Sequence, residues 1–484
     1  MRKVGLLLLP LALATLVGCE KQSKEYDGKI TINFWHTFGD KAETAMEGKI
    51  KKFVELVKAE EGVDLEVVLS YQGAYKDMPQ KVITGLATGD MPTIAIAYPD
   101  HVAQYMHQEG NNPGKYIVDF DKYIKDESIT FGTDKYLGDT EGESDMIKSY
   151  MDEGRVMPRK GTYLIPLMKS TEIMCYNLTA VKTAMSYVHP EVPVDRVAEY
   201  MKTITWEDFI DVAQAAYDHK DVVSSNMTFP IYYDSDSNLF ITELYQNNVG
   251  YSSIGSNGVG QIDFESGENL TKAKALVQGL VNAADAHLLT TKGVQGTYAS
   301  NAFKNMECIF SIGSTGGTGY TIPEAGSFDV AFAKVPTMGG ENGRVGYVSQ
   351  GPSVCFLNNP AYSEAQNEAT LKYAWKLIKY LTSKQVNVSL CVTGSEGYSP
   401  VRNSCYTTET YNDFIDGGES YAEAAMVTQN DINGQYLNTA VFTGSATLRN
   451  EVGALITNVL RTENRLSIDQ AFTLAINNTK KDIQ

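Results

Sequence analysis

The chain is poor in the residues that carry metal and redox chemistry. Of 484 residues, six are cysteine, six histidine and three tryptophan. The histidines are His36, His101, His107, His189, His219 and His287, and they form no H-E-x-x-H and no H-x-H pair. His101 and His107, six apart, do not share a helical face, so no zinc site is expected. There is no G-x-S-x-G elbow for a nucleophilic serine and no Walker loop for a phosphate. Basic residues are in deficit, 41 Lys plus Arg against 59 Asp plus Glu, for a formal net charge of −18. A general nucleic-acid binder needs a cationic surface to displace counterions, and this composition argues against one. Beyond the N-terminus no apolar run approaches the roughly 20 residues needed to cross a bilayer. What remains is a globular composition, 43% apolar and 10% aromatic, too apolar and too lightly charged for a disordered chain. The length is too great for one core and implies about two or three lobes.

The N-terminus reads as an address. Met1-Arg2-Lys3 is a short basic start, residues 4–17 are apolar, and Leu16-Val17-Gly18-Cys19 follows. This is the layout of a secretory signal, and its last four residues look like a bacterial lipobox. That resemblance implies cleavage before Cys19 and lipid on Cys19, which holds a protein stably to a membrane when two or more acyl chains are present. Removing residues 1–18 takes Arg2 and Lys3 with it and leaves the mature chain more acidic still. Residues 19–29 then form a polar tether. Five cysteines remain: Cys175, Cys308, Cys355, Cys391 and Cys405. An odd number cannot all pair within one chain. The first three lie in apolar, strand-like runs and read as small core residues; Cys391 and Cys405 flank a loop that a disulfide would close, and sequence leaves that pairing open.

The body alternates strand and helix. Residues 30–35 alternate with period two, and residues 41–60 place Ala45, Met46, Ile50, Phe53, Val54 and Val57 at helical spacing before Gly62. A strand over 63–71, a helix over 76–88, a short apolar strand over 93–97 and a helix from His101 continue the pattern. This grammar predicts a parallel sheet with right-handed crossovers. Ligands of such sheets bind beyond the carboxyl ends of the strands, so the loops at 35–40, 71–75 and 98–101 are expected to face one crevice. Later strands are predicted at 171–176, 229–233, 307–312, 328–335 and 348–357. Helices are predicted at 206–217, 239–246, 273–284 and 369–381, and from Ser467 to about Lys480. Two α/β lobes are the economical reading.

Two further motifs stay open. The glycine-rich stretch 313–319 is either a flexible crossing loop or a set of backbone N–H groups and hydroxyls offered to a polar ligand. Asp234-Ser235-Asp236-Ser237-Asn238 starts like a calcium loop, but Leu239 stands where glycine belongs and Tyr245 where glutamate belongs.

Several segments, in order and across nearly the whole mature chain, resemble the extracellular solute-binding proteins, family 1, of ABC importers. They are Ile32-Asn33-Phe34-Trp35-His36, Gly85-Leu86-Ala87-Thr88-Gly89-Asp90-Met91-Pro92, Ile165-Pro166 with Tyr176-Asn177, Gly313-Ser314-Thr315-Gly316-Gly317, and the stretch Gly394-Ser395-Glu396-Gly397-Tyr398-Ser399-Pro400-Val401. The Phe-Trp-His start and Tyr71-x-Gly73-x-Tyr75 look most like the glycerol-phosphate binders. The resemblance implies a two-lobed periplasmic-binding-protein-like α/β fold of type II, with ligand closed between lobes joined by hinge crossings. It implies an N-terminal lobe of 30–168 with 316–397, and a C-terminal lobe of 169–315 with 398–484.

Carried over by position, the resemblance implies a ligand pocket of Tyr75, Asp100, Ser170, Thr171, Ser314, Thr315, Gly351, Tyr398 and Arg449. Arg449 would grip a phosphate or a pair of hydroxyls. The subgroup has tryptophans around 231–240 where this chain has Tyr232, Tyr233, Asp234 and Asp236, which leaves room for a sugar in place of glycerol phosphate. The implied protein is a monomeric, lipid-anchored, extracytoplasmic receptor without cofactor, catalytic residues or metal, which delivers a sugar or polyol to ABC permease subunits. The alternatives are a secreted glycan hydrolase with a carboxylate pair and a surface adhesin without a small-ligand pocket.

Overall fold

The computed structural model describes residue 26 and residues 28–338, 343–395 and 397–483. The expected signal at 1–18 and the expected lipidation site Cys19 lie outside the described residues. In chain order the strands are β1 (Ile30–His36), β2 (Leu65–Tyr71), β3 (Ile94–Ala97), β4 (Ile165–Pro166), β5 (Ser170–Asn177), β6 (Ile231–Tyr233), β7 (Ser252–Ile254), β8 (Gly260–Ile262), β9 (Leu289–Thr291), β10 (Phe310–Ser314), β11 (Val330–Lys334), β12 (Tyr347–Gln350), β13 (Ser353–Phe356) and β14 (Tyr436–Leu437).

Two sheets divide these strands. The first runs β2-β1-β3-β13-β4, with β1 parallel to β2 and β3, and β13 antiparallel to both its neighbours. The second runs β14-β12-β5-β10-β6-β9, with β11 also paired to β5. Each sheet has its own core. In β1 the alternation seen in sequence buries Ile30, Ile32, Phe34 and His36. The helix Asp40–Glu61 lays Ala42, Met46, Ile50, Phe53 and Val57 inward and stops at Gly62, whose φ of 70° allows its N–H to cap Lys58 O. Trp375, 1% exposed, is among the core residues of this lobe, and its indole N–H donates to Ile129 O at 2.7 Å. The second core gathers residues such as Met174, Phe209, Tyr233, Phe310, Leu448 and Ile456. Among the described residues no helix is long and apolar enough to cross a membrane.

Three expectations need correction. The apolar run 348–357 is not one strand: it breaks at Gly351-Pro352, with β12 on the second sheet (Ser349 opposite Thr171) and β13 on the first (Ser353 opposite Ala97). Proline cannot donate to a ladder, and Gly351, at φ 93°, turns the chain from one sheet to the other. The lobe boundaries implied by the resemblance also differ from the division of the sheets. Residues 316–350 do not join the N-terminal lobe, because β11 and β12 both pair with β5, and the start of 398–484 does not join the C-terminal lobe, because Val401 is buried in the first core. Finally, the glycine-rich stretch 313–319 is not an irregular loop; β10 ends at Ser314, and helical turns follow at Thr315–Gly317 and Thr318–Thr321. All five described cysteines, including Cys391 and Cys405, are buried free thiols.

The crossings between lobes are tied to one another. Leu167 N–H donates to Pro352 O at 3.0 Å, and Lys169 and Ser399 exchange backbone bonds of 3.0 and 2.6 Å. Buried Asn387 clamps the bundle: its amide donates to Leu167 O at 2.8 Å and its carbonyl accepts Val401 N–H at 2.9 Å. Three strands of chain thus bend at one place, as a hinge between two lobes requires.

Candidate functional site

The strands of the first sheet end in loops that meet the second lobe. Thr37 follows β1, Tyr75 follows β2, and Tyr98 to Asp100 follow β3. Tyr75 and Tyr98 stack with ring centroids 4.7 Å apart and planes 11° from parallel, an offset pairing suited to an apolar platform. Tyr398, from the third crossing, stands beside both. The backbone of Gly316 lies flat on the Tyr398 ring, so that a Cβ there would come within 2.8 Å of it. On the opposite rim Tyr320, from the second lobe, approaches Gly39 of the first to the same degree. Burial pushes the Tyr398 phenol up to about 12.

A polar chain crosses the cleft next to these rings. Asp100 starts the helix Pro99–His107, and its carboxylate lies 3.6 Å from Arg449 Nε, on the helix Ser445–Leu460 of the other lobe. Arg449 also donates to Asn238 Oδ1 at 2.8 Å. Asn238 in turn donates to Glu172 at 3.1 Å, and the Tyr233 hydroxyl donates to the second Glu172 oxygen at 2.7 Å. Glu172 is 1% exposed, and burial pushes its carboxyl up to about 7, against the pull of its two donors and Arg449. Burial raises Glu243, on the neighbouring helix Asp236–Gln246, to about 7 as well.

This has a measurable consequence. The fold favours the protonated Glu172, so its contribution to stability is full below the ordinary carboxyl range and is lost as pH rises through about 7. Glu172→Gln, neutral at all pH, should therefore reduce the fall in urea midpoint between about pH 5 and about pH 8. An unchanged slope would show that the carboxyl is not held protonated.

The predicted residues fall into two sets. Tyr75, Asp100, Tyr398 and Arg449 meet at the cleft. Ser314, opposite Glu172 in register, donates to Ser170 with their hydroxyls 3.2 Å apart. Thr171 and Thr315 are buried and engaged with the protein: Thr171 Oγ1 donates to Val348 O at 2.9 Å, and Thr315 Oγ1 accepts Thr171 N–H at 3.3 Å. Gly351 serves through its backbone, packed on Lys169 and Ser170. Asp234 and Asp236 do not open a loop; they accept hydrogen bonds from Ala299 N–H and from Thr291, Thr457 and Gly293 N–H. Sequence reasoning missed Glu172 and Asn238 as site residues. The signal was a lone charge inside an apolar strand, which is stable only with partners.

Beside this chain the buried hydroxyls of Tyr251 and Ser349 have no hydrogen-bond partner among the described residues, while the Tyr75 hydroxyl stands against those of Thr37 and Tyr398. Tyr251 lies beside Arg449 and Asp100. Two α/β lobes joined by hinge crossings, meeting at stacked tyrosines and a buried polar chain, make the type II periplasmic-binding fold.

Residues 52–415 match the model of the bacterial extracellular solute-binding proteins. The chain belongs to this family, which comprises substrate-binding proteins of ABC importers and not enzymes, so the hydrolase alternative falls. No curated protein matches the chain. Among solved structures, it is similar to the GacH receptor of Streptomyces glaucescens, solved unliganded and with acarbose, at 16% identity and a TM-score of 0.64 over 94% of this chain and 98% of that one. It is similar also to UgpB of Mycobacterium tuberculosis in complex with glycerophosphocholine, at 15% identity and TM-score 0.66 over 94% and 98%. A third is Lmo0181 of Listeria monocytogenes in complex with cycloalternan, at 13% identity and TM-score 0.66 over 94% and 99%. At these identities the likeness establishes the fold.

Proposed function

We propose that the chain is the receptor of an ABC importer for a neutral carbohydrate, closes on it between the two lobes, and hands it to a permease while tethered through lipid on Cys19. The observation that carries the ligand class is the state of Arg449. It is the cation of this cluster, and it is already shared between Asp100, Asn238 and the nearby Glu172. Among the described residues of this cluster a phosphate would meet the Asp100 carboxylate, the Glu172 carboxyl and no uncommitted positive charge, which disfavours glycerol phosphate. A polyol would meet stacked tyrosine faces and the uncommitted hydroxyls of Tyr251 and Ser349, which suit its many short donors and acceptors. Ligands named for the similar structures include acarbose and cycloalternan on one side and glycerophosphocholine on the other, so the choice rests on the cleft's own charge.

A thermal-shift series tests this. Neutral mono- and oligosaccharides should raise the melting point, since a ligand at 100 times its Kd adds about 2.7 kcal/mol, and glycerol 3-phosphate should not. Stabilisation by glycerol 3-phosphate alone would overturn the reading. For the anchor, the chain expressed with residues 1–18 should partition into the detergent phase on Triton X-114 separation, and Cys19→Ala should move it to the aqueous phase with sugar binding unchanged. Partitioning that ignores Cys19→Ala would contradict lipidation there.

A further inference from the structure

A second cavity lies outside the cleft, on the open face of the first sheet. β1 turns Ile32, Phe34 and His36 to the core, so Asn33 and Trp35 project from the other face, beside Val68 and Ser70 of β2. The helix Met78–Thr88 flanks that face and closes an open groove of about 580 Å³ over it, lined in part by Asn33, Trp35, Ser70, Lys81, Thr84 and Asp90. The size is within the roughly 300–1,000 Å³ of small-ligand sites. Gly85 holds the far wall in place: a Cβ there would stand 2.4 Å from Asp90 O, so the turn carrying Asp90 packs directly on the helix.

The lining has a particular chemistry. Trp35 forms the aromatic wall and is the one tryptophan of the three that is not buried; Trp206 is 7% and Trp375 1% exposed. Both buried indoles donate inside the protein, to Gln246 and Ile129, whereas the Trp35 indole N–H and the Asn33 amide find no protein partner among the described residues. Lys81 is tied to Gln72 O at 2.7 Å and Ser70 accepts from Gln72 at 2.9 Å, which fixes the groove's edge. One lysine and one aspartate leave it without net charge. That excludes a phosphate or an acidic peptide as the preferred occupant, and the amide and hydroxyl lining excludes an acyl chain. An aromatic face flanked by an amide, a hydroxyl and a carboxylate suits a sugar ring, which has apolar C–H faces and equatorial hydroxyls.

We propose that this groove is a second carbohydrate site, taking a neutral pyranose unit of an oligo- or polysaccharide outside the transport cleft. Its effect would be to hold the receptor on a glycan chain from which transported fragments derive. The proposal does not depend on which ligand the cleft takes.

The test uses the mature chain labelled with 5-fluorotryptophan, which gives three fluorine resonances, one per tryptophan. Maltoheptaose, cellohexaose, laminarihexaose and xylohexaose are titrated in turn. At least one should move the Trp35 resonance, and the matching polysaccharide should retard the protein in affinity gel electrophoresis. Trp35→Ala should weaken that retardation at least tenfold. Thr84→Arg, which blocks the groove from an exposed helix position, should do the same while keeping Trp35 and the fold intact. Arg449→Ala, in the cleft, should leave the retardation in place, and Trp35→Ala should leave cleft binding within twofold. No response of Trp35 to any of the four, or retardation that survives both Trp35→Ala and Thr84→Arg, overturns the proposal. Retardation lost only with Arg449→Ala would overturn it too and assign the glycan contact to the cleft.

Discussion

Gly351→Ala should destabilise the protein by about 3 kcal/mol, read as a lower urea midpoint. Two effects add. The φ of 93° lies where an L-residue is strained by roughly 1–2 kcal/mol. A Cβ there would also stand 2.7 Å from Ser170 N and 2.8 Å from the Lys169 Cα and carbonyl carbon, and those are backbone atoms of the neighbouring crossing, which cannot swing aside. Overpacking of this kind costs about 1–3 kcal/mol. Because Gly351 joins β12 of one lobe to β13 of the other, the strain falls on the hinge, and ligand affinity should fall with stability. Gly279→Ala is the contrast: Gly279 is inside the helix Gly267–Asp285, with open space where its Cβ would go, and the change should stabilise by about 0.5–1 kcal/mol. Equal midpoints for the two variants would contradict the role given to Gly351.

Arg449→Ala should weaken carbohydrate binding about 10- to 100-fold, the worth of roughly 1.5–3 kcal/mol for hydrogen bonds to a charged group. The guanidinium links Asp100 of one lobe to Asn238 of the other. Its removal takes away the guanidinium beside Asp100 and the positive charge that opposes Glu172 protonation. Arg449→Lys should recover only part of the loss, since an ammonium cannot reproduce the planar fork that reaches both partners. Calorimetric titration of the three proteins with the same sugar checks this, and equal affinity in wild type and Arg449→Ala would remove Arg449 from the site.

How far the sequence carried depended on the range of the interaction involved. Period-two alternation over 30–35 and the helical spacing ended by Gly62 depend on neighbours a few residues apart, and both elements stand where they were expected. The lipobox-like stretch 16–19 is likewise a local pattern, but Cys19 lies outside the described residues. The break at Gly351 has a local signal too, a Gly-Pro pair inside an apolar run, but the hydrophobicity of 348–357 reads as one strand, and only the pairing of β12 with β5 and of β13 with β3 separates the two halves. Arg449 and Tyr398 came from family resemblance, and what they touch did not. Asp100 and Arg449 are remote in sequence, and nothing local says that the acid stands opposite the arginine across a cleft. Glu172 reads as a blemish in a β-strand until Tyr233 and Asn238 are seen to hold it.

The cleft is proposed to take a neutral sugar because Arg449 is already engaged by Asp100 and Asn238. Titration calorimetry of the mature chain with neutral oligosaccharides and with glycerol 3-phosphate, at about 50 and about 500 mM salt, tests it most directly. A neutral oligosaccharide should bind saturably with an affinity that salt does not change, and glycerol 3-phosphate should give no heat. Saturable binding of glycerol 3-phosphate that weakens with salt, with none for any sugar, would contradict it.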